Sequence, residues 1–124
     1  VLVEALKADY WKPVQTGSFF SRDTVEVKRI VSNTKSQFHP ESYLLKQPMS
    51  PHAAAELEGV EIQMDQIRLP DTKNHLIIEG AGGLMVPLNK QYFMSSMKNP
   101  MNFLKISFFN TAGSNCLAGS IKRE

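Results

Sequence analysis

The hydrophobic pattern changes period along the chain. Val1, Leu2, Ala5 and Leu6 share one helical face, with Glu4 and Lys7 opposite, so residues 1–8 read as the end of an amphipathic helix. Asp9-Tyr10-Trp11-Lys12-Pro13-Val14 is aromatic and reads as a short strand that stops at its proline. Gln15-Thr16-Gly17-Ser18 is a turn. Asp23 to Lys35 carries Val27, Ile30 and Val31 at helical spacing, with Ser21 as its expected N-cap. His39-Pro40 breaks the pattern, and Tyr43-Leu44-Leu45 is extended. Ser50-Pro51-His52 opens a helix over 53–58, with Gly59 at its C-cap and a further short helix expected over 60–69. His75-Leu76-Ile77-Ile78-Glu79 is the clearest buried strand: a brief apolar run that ends in glycines. Lys105 to Phe109 is one more candidate strand. Strands alternating with helices predict an α/β fold, a parallel sheet flanked by helices.

Composition narrows the class. The 124 residues suffice for one small domain with a core. With 14 basic and 12 acidic residues, net charge +2, neither a nucleic-acid nor an anionic-membrane partner is expected. A single cysteine, Cys116, forbids an internal disulfide and suggests an inert thiol in a cytoplasmic protein. No apolar run reaches the ~20 residues of a membrane span. There is no initiator Met, and a chain that opens inside a helix is expected to be part of a longer one.

Two strand ends carry candidate chemistry. In open α/β sheets ligands bind beyond the carboxyl ends of strands. Glu79 ends the apolar strand, where a carboxylate suits Mg²⁺, and Gly80-Ala81-Gly82-Gly83 lets backbone N–H groups approach an anion. The bland alternative is a tight turn with a solvated Glu79. Lys12 offers positive charge at the other strand end, Thr16 a hydroxyl and Gly17 close approach; the alternative is a surface lysine. Asp23 is either a helix-start acid that complements the dipole or a second metal-facing carboxylate. His39, His52 and His75 lack ligand spacing.

In this order the segments Tyr10-Trp11-Lys12-Pro13-Val14-Gln15-Thr16-Gly17, Asp23, Pro48-Met49-Ser50-Pro51-His52-Ala53-Ala54 and Ile77-Ile78-Glu79-Gly80-Ala81-Gly82-Gly83-Leu84-Met85-Val86-Pro87-Leu88 resemble dethiobiotin synthetase. The resemblance covers residues 1–94 and implies a partial three-layer architecture like that of P-loop NTPases. It implies ATP- and Mg²⁺-dependent closure of a ureido ring on 7,8-diaminopelargonic acid with CO₂, in biotin biosynthesis. It implies Lys12 as the catalytic lysine, Thr16, Gly82 and Gly83 at the substrate, and Asp23 and Glu79 at the metal. It also implies a homodimer in the intact protein. The family's Gly-rich P-loop does not occur in these residues, so no nucleotide-cradling residue is assigned and the isolated chain is expected to turn over ATP weakly at best. Residues 95–124 match the family poorly. The competing expectations are another ATP-dependent domain of the superfamily, similar to cobyrinate amidases, and a non-catalytic fragment.

Overall fold

The computed structural model describes residues 2–18, 20–83, 85–98, 107–110 and 117–121, with Lys98 and the last two segments as backbone alone. Helix α1 (Leu2–Leu6) leads into β1 (Asp9–Trp11) and β2 (Val14–Gln15). Helix α2 (Asp23–Ile30) precedes β3 (Phe38–His39) and β4 (Tyr43–Leu44). Helix α3 (Pro51–Leu57) and a 3₁₀ turn at Met64–Gln66 lead to β5 (Leu76–Glu79). A second 3₁₀ turn, Met94–Lys98, is followed by β6 (Ser107–Asn110) and β7 (Leu117–Ile121).

The main sheet has the order β3-β1-β5-β7-β6. Its centre is parallel, as expected: β1 runs with both β3 and β5, Tyr10 beside Phe38 and Ile77. Strands β7 and β6 extend it antiparallel. Strands β2 and β4 form a separate parallel pair.

Side chains alternate across a strand, and here the alternation divides the core. Tyr10 and Ile77 pack with Val3, Ala8, Val27 and Val31 on the face covered by α1 and α2. Trp11 and Leu76 pack with Ala54, Ala55, Leu45, Ile62 and Leu88 on the face covered by α3. The result is helices, sheet and helix in three layers. Burial on both faces is why the start of β5 reads as an unbroken apolar run; β1 is buried throughout as well, with Asp9 its one charged member.

Several boundaries differ from the sequence pattern. The helix predicted to reach Lys35 stops at Ile30, and Val31 is extended. The reason is non-local: Glu4 on α1 accepts the backbone N–H groups of Ser32 and Asn33 and both of their side chains. These bonds, led by the Asn33 amide, hold the Glu4 carboxyl at a pKa of about 2. The N-cap of α2 is Arg22, not Ser21, and Gln15 Oε1 accepts the Asp23 N–H at 3.0 Å in place of a local cap. The helix expected over 60–69 contracts to its 3₁₀ turn. Ser50 caps α3 only by position; its hydroxyl lies 3.2 Å from His52 Nδ1. Gly59 does sit past α3 at φ +66°, a conformation glycine adopts without penalty. The predicted strand over 105–109 meets β6 from Ser107 onward, while residues 105–106 and Cys116 lie outside the described residues.

Candidate active site

The predicted strand over residues 9–14 is divided by Lys12-Pro13. Upstream it belongs to the main sheet, downstream to the β2–β4 pair. Proline has no N–H to offer a ladder. At this joint Lys12 leaves the sheet, and its side chain is only 5% exposed.

A buried ammonium is costly unless paired. Lys12 Nζ is ion-paired with Asp23 Oδ2 and lies 3.1 Å from Glu79 Oε1. Asp23 comes from the first turn of α2, held there by Gln15, which is itself buried and donates to the Thr16 carbonyl at 2.6 Å. Glu79 comes from the carboxyl end of β5. Its second oxygen accepts the Tyr10 hydroxyl at 2.7 Å, so both of its oxygens are fixed. Three chain segments thus meet at one nitrogen.

This centre borders an open cleft of about 560 Å³ lined by Lys12, Thr16, Asp23 and Gly82, together with Gly17, Phe20, Ser50 and Pro51. Four of the six predicted site residues line it, and Glu79 reaches it through Lys12. Gly83 is not part of the lining. Gly82 has φ +83°, and a Cβ there would lie 2.9 Å from Val86 Cγ2, so conformation and space both require glycine. His52 faces a different hollow beside Glu56 and Glu61. His39 contacts Asp9 instead of the cleft. Among the described residues no group of three or more His, Cys, Asp or Glu could hold a metal.

The donor set at Lys12 suits Mg²⁺ nonetheless. That ion usually takes one or two carboxylates and fills its octahedron with water and phosphate oxygens. Asp23 and Glu79 already converge on one cationic point, with side chains 34% and 17% exposed, and Asp23 lines the cleft.

Sequence reasoning missed three supporting residues. Tyr10 read only as a strand aromatic and Gln15 as a turn residue, and Glu41 was not singled out. For Tyr10 the signal was a polar atom on a strand aromatic, and for Glu41 there was none; the partners are 69, 8 and 19 or 17 positions away.

The chain is similar to proteins named ATP-dependent dethiobiotin synthetase. It is 50% identical over 97 residues to that of Christiangramia forsetii, covering 78% of this chain and 47% of the relative. It is 56% identical over 90 residues to that of Cytophaga hutchinsonii, covering 72% and 43%. It is 46% identical over 90 residues to that of Rhodopseudomonas palustris, covering 73% and 42%. The chain therefore spans less than half the length of these relatives. No solved structure matches it. Among the described residues no helix is long and apolar enough to cross a membrane. The family model described as AAA domain matches residues 1–102, and since that is most of the sequence, the chain belongs to this AAA domain family.

Proposed function

We propose that this chain is part of an ATP-dependent dethiobiotin synthetase, a cyclo-ligase of biotin biosynthesis, and that its cleft takes 7,8-diaminopelargonic acid, CO₂ and the γ-phosphate of ATP. The similarity to the named synthetases supports the activity, and the Lys12–Asp23–Glu79 centre supports the placement of the chemistry. In this reading one substrate amine adds to CO₂, forming a carbamate and releasing a proton. A carbamate oxygen takes the γ-phosphoryl group and ADP leaves. The second amine attacks the carbamoyl carbon, inorganic phosphate departs, the attacking nitrogen releases a proton, and the ureido ring closes.

The residues of this chain act by position and charge, as suits phosphoryl transfer. Lys12 lies against the carbamate and the transferred phosphoryl group. Thr16 donates its hydroxyl to the carbamate or diamine. Gly82 and Gly83 offer backbone N–H groups. Asp23 and Glu79 would hold Mg²⁺, which supplies charge neutralisation at the phosphates. The intact protein is proposed to be a cytoplasmic homodimer.

The observation that carries the reading is the buried Lys12 ammonium held between two carboxylates at the edge of the cleft. Calorimetric titration of the chain with 7,8-diaminopelargonic acid and Mg²⁺ tests it. Saturable binding that weakens at least ~10-fold, about 1.4 kcal/mol, in Lys12→Met is expected. A folded chain that binds no diamine overturns the substrate assignment.

A further inference from the structure

Two chain passages run side by side beneath the cleft, residues 9–15 and 38–44. Both begin in the main sheet and end in the smaller one. Trp11 is level with His39, and Val14 is level with Tyr43. The first passage covers that interval in three steps and the second in four (14 − 11 against 43 − 39). One extra residue is therefore accommodated between His39 and Tyr43. The hydrogen bonds show how: the N–H groups of both Ser42 and Tyr43 go to the single carbonyl of Pro13, at 2.8 and 3.0 Å. Two donors on one strand sharing one acceptor on the other is the pattern of a β-bulge. The Pro40 carbonyl, displaced from the ladder, is taken up by Trp11 Nε1 at 3.0 Å.

A bulge re-aims side chains, and the residue that leads into this one is Glu41, directly before the Ser42–Tyr43 pair that shares the Pro13 carbonyl. Its side chain is 2% exposed. One oxygen accepts Arg22 Nη2 at 2.6 Å, and the other accepts Thr24 Oγ1 at 2.8 Å. Arg22 and Thr24 flank Asp23. Burial alone pushes the Glu41 carboxyl up, but the Arg22 bond, a backbone N–H and the Thr24 hydroxyl outweigh it and hold the group below the usual carboxylate range. Glu41 is thus an anion that spans the residues on either side of the acid paired with Lys12.

We propose that Glu41 is a positioning residue: by tying Arg22 to Thr24 across the start of α2, it holds the Asp23 carboxylate on Lys12 at the edge of the cleft. It touches neither substrate nor metal in this arrangement, and its action passes through Asp23. Gln15 grips the same residue by its backbone N–H, so the two together fix both the Asp23 backbone and its orientation. The inference rests on the reading of Lys12, Asp23 and Glu79 as the working centre.

The test reads the Lys12 amine directly, by pulse acylation of the full chain with an amine-reactive ester and mass spectrometry of the Lys12 peptide, well below each variant's melting temperature. Outer partners that orient metal-site ligands cost ~10- to 100-fold in affinity or activity when lost, and the low end of that range sets the effect expected at Lys12. Glu41→Gln preserves the shape and removes the negative charge that faces Arg22; it is expected to raise the Lys12 acylation rate about 10-fold. Asp23→Asn is expected to do the same. Because Glu41 acts through Asp23, the double variant should be no faster than Asp23→Asn alone. A rate in Glu41→Gln equal to wild type overturns the proposal, as does an effect that multiplies with that of Asp23→Asn. If Glu41→Gln does not fold, Arg22→Gln removes the same ion pair from its solvent side and decides by the same criterion. A loss of melting temperature without a change at Lys12 would mark a purely structural acid and refute the proposal. Labelling is indifferent to whether the diamine binds, so this inference and the substrate assignment fail separately.

Discussion

Asp9 and Lys12 are three positions apart on one extended run, and each is at least 95% buried, yet their surroundings differ in kind. Asp9, at the amino end of β1, is enclosed by neutral donors from loops that precede other strands. Its two oxygens receive the Gln37 N–H at 2.9 Å, Asn74 Nδ2 at 3.0 Å and Thr72 Oγ1 at 2.6 Å, and His39 Nε2 lies 3.1 Å away. Burial pushes the Asp9 carboxyl up, but these bonds, Thr72 first among them, outweigh it and hold the group below its ordinary value. Lys12, at the carboxyl end, is met by two acids, of which Asp23 also lines the cleft. One buried charge is fully satisfied inside the fold. The other is satisfied by groups that a ligand can reach. Burial of a charge therefore does not by itself mark a candidate site; the access of its partners to a cleft does.

The comparison is broken most severely at the amino end. Asp9→Ala leaves the Gln37 N–H, Asn74 amide and Thr72 hydroxyl without their acceptor, and a stability loss of about 3 kcal/mol is expected in urea unfolding. A loss as large in Lys12→Met would erase the distinction, because Asp23 can turn to water in the cleft and Glu79 keeps its Tyr10 bond; about 1 kcal/mol is expected there, together with weaker diamine binding.

Acid sharpens the same contrast. Because the folded pKa of Asp9 is depressed, the unfolded chain binds the proton first, so the carboxylate's contribution is complete above its ordinary 3.8 and fades as pH falls through the lower folded value. Circular dichroism across that range should show a steeper stability loss in the wild type than in Asp9→Asn. Equal slopes would mean that the Asp9 network stores no such linkage. The smallest effect is expected for Tyr10→Phe, which removes one bond to Glu79: about 1 kcal/mol of stability and a modest weakening of Mg²⁺-dependent binding, by the same titration.

What could be read in the chain follows from the reach of each interaction. The apolar run of β5 announces two-faced burial, and the parallel pairing followed from helices alternating with the strands. Lys12, Asp23 and Glu79 were legible as candidates because each stands at an element's end, where ligands bind. Their mutual contact was not, since Lys12 and Glu79 are 67 positions apart. The end of α2 was misplaced because helical periodicity continues through Val31, while Glu4, 28 and 29 positions away, claims the N–H groups of Ser32 and Asn33. The bulge at Glu41 leaves no trace in local pattern at all; it exists only as a mismatch in length between two passages.

Those two passages also bear on how the molecule opens. Residues 9–15 are bonded to β3 and β5 at one end and to β4 at the other, so a single length of backbone laces both sheets together, with Lys12 at the crossing point. Neither sheet can breathe without pulling on that lace. In amide hydrogen exchange the protected amides of Tyr10 and Trp11 and those of Leu45 and Tyr43 should therefore be released in one event instead of two, and the floor of the cleft should remain shut to solvent deuterium until that event occurs.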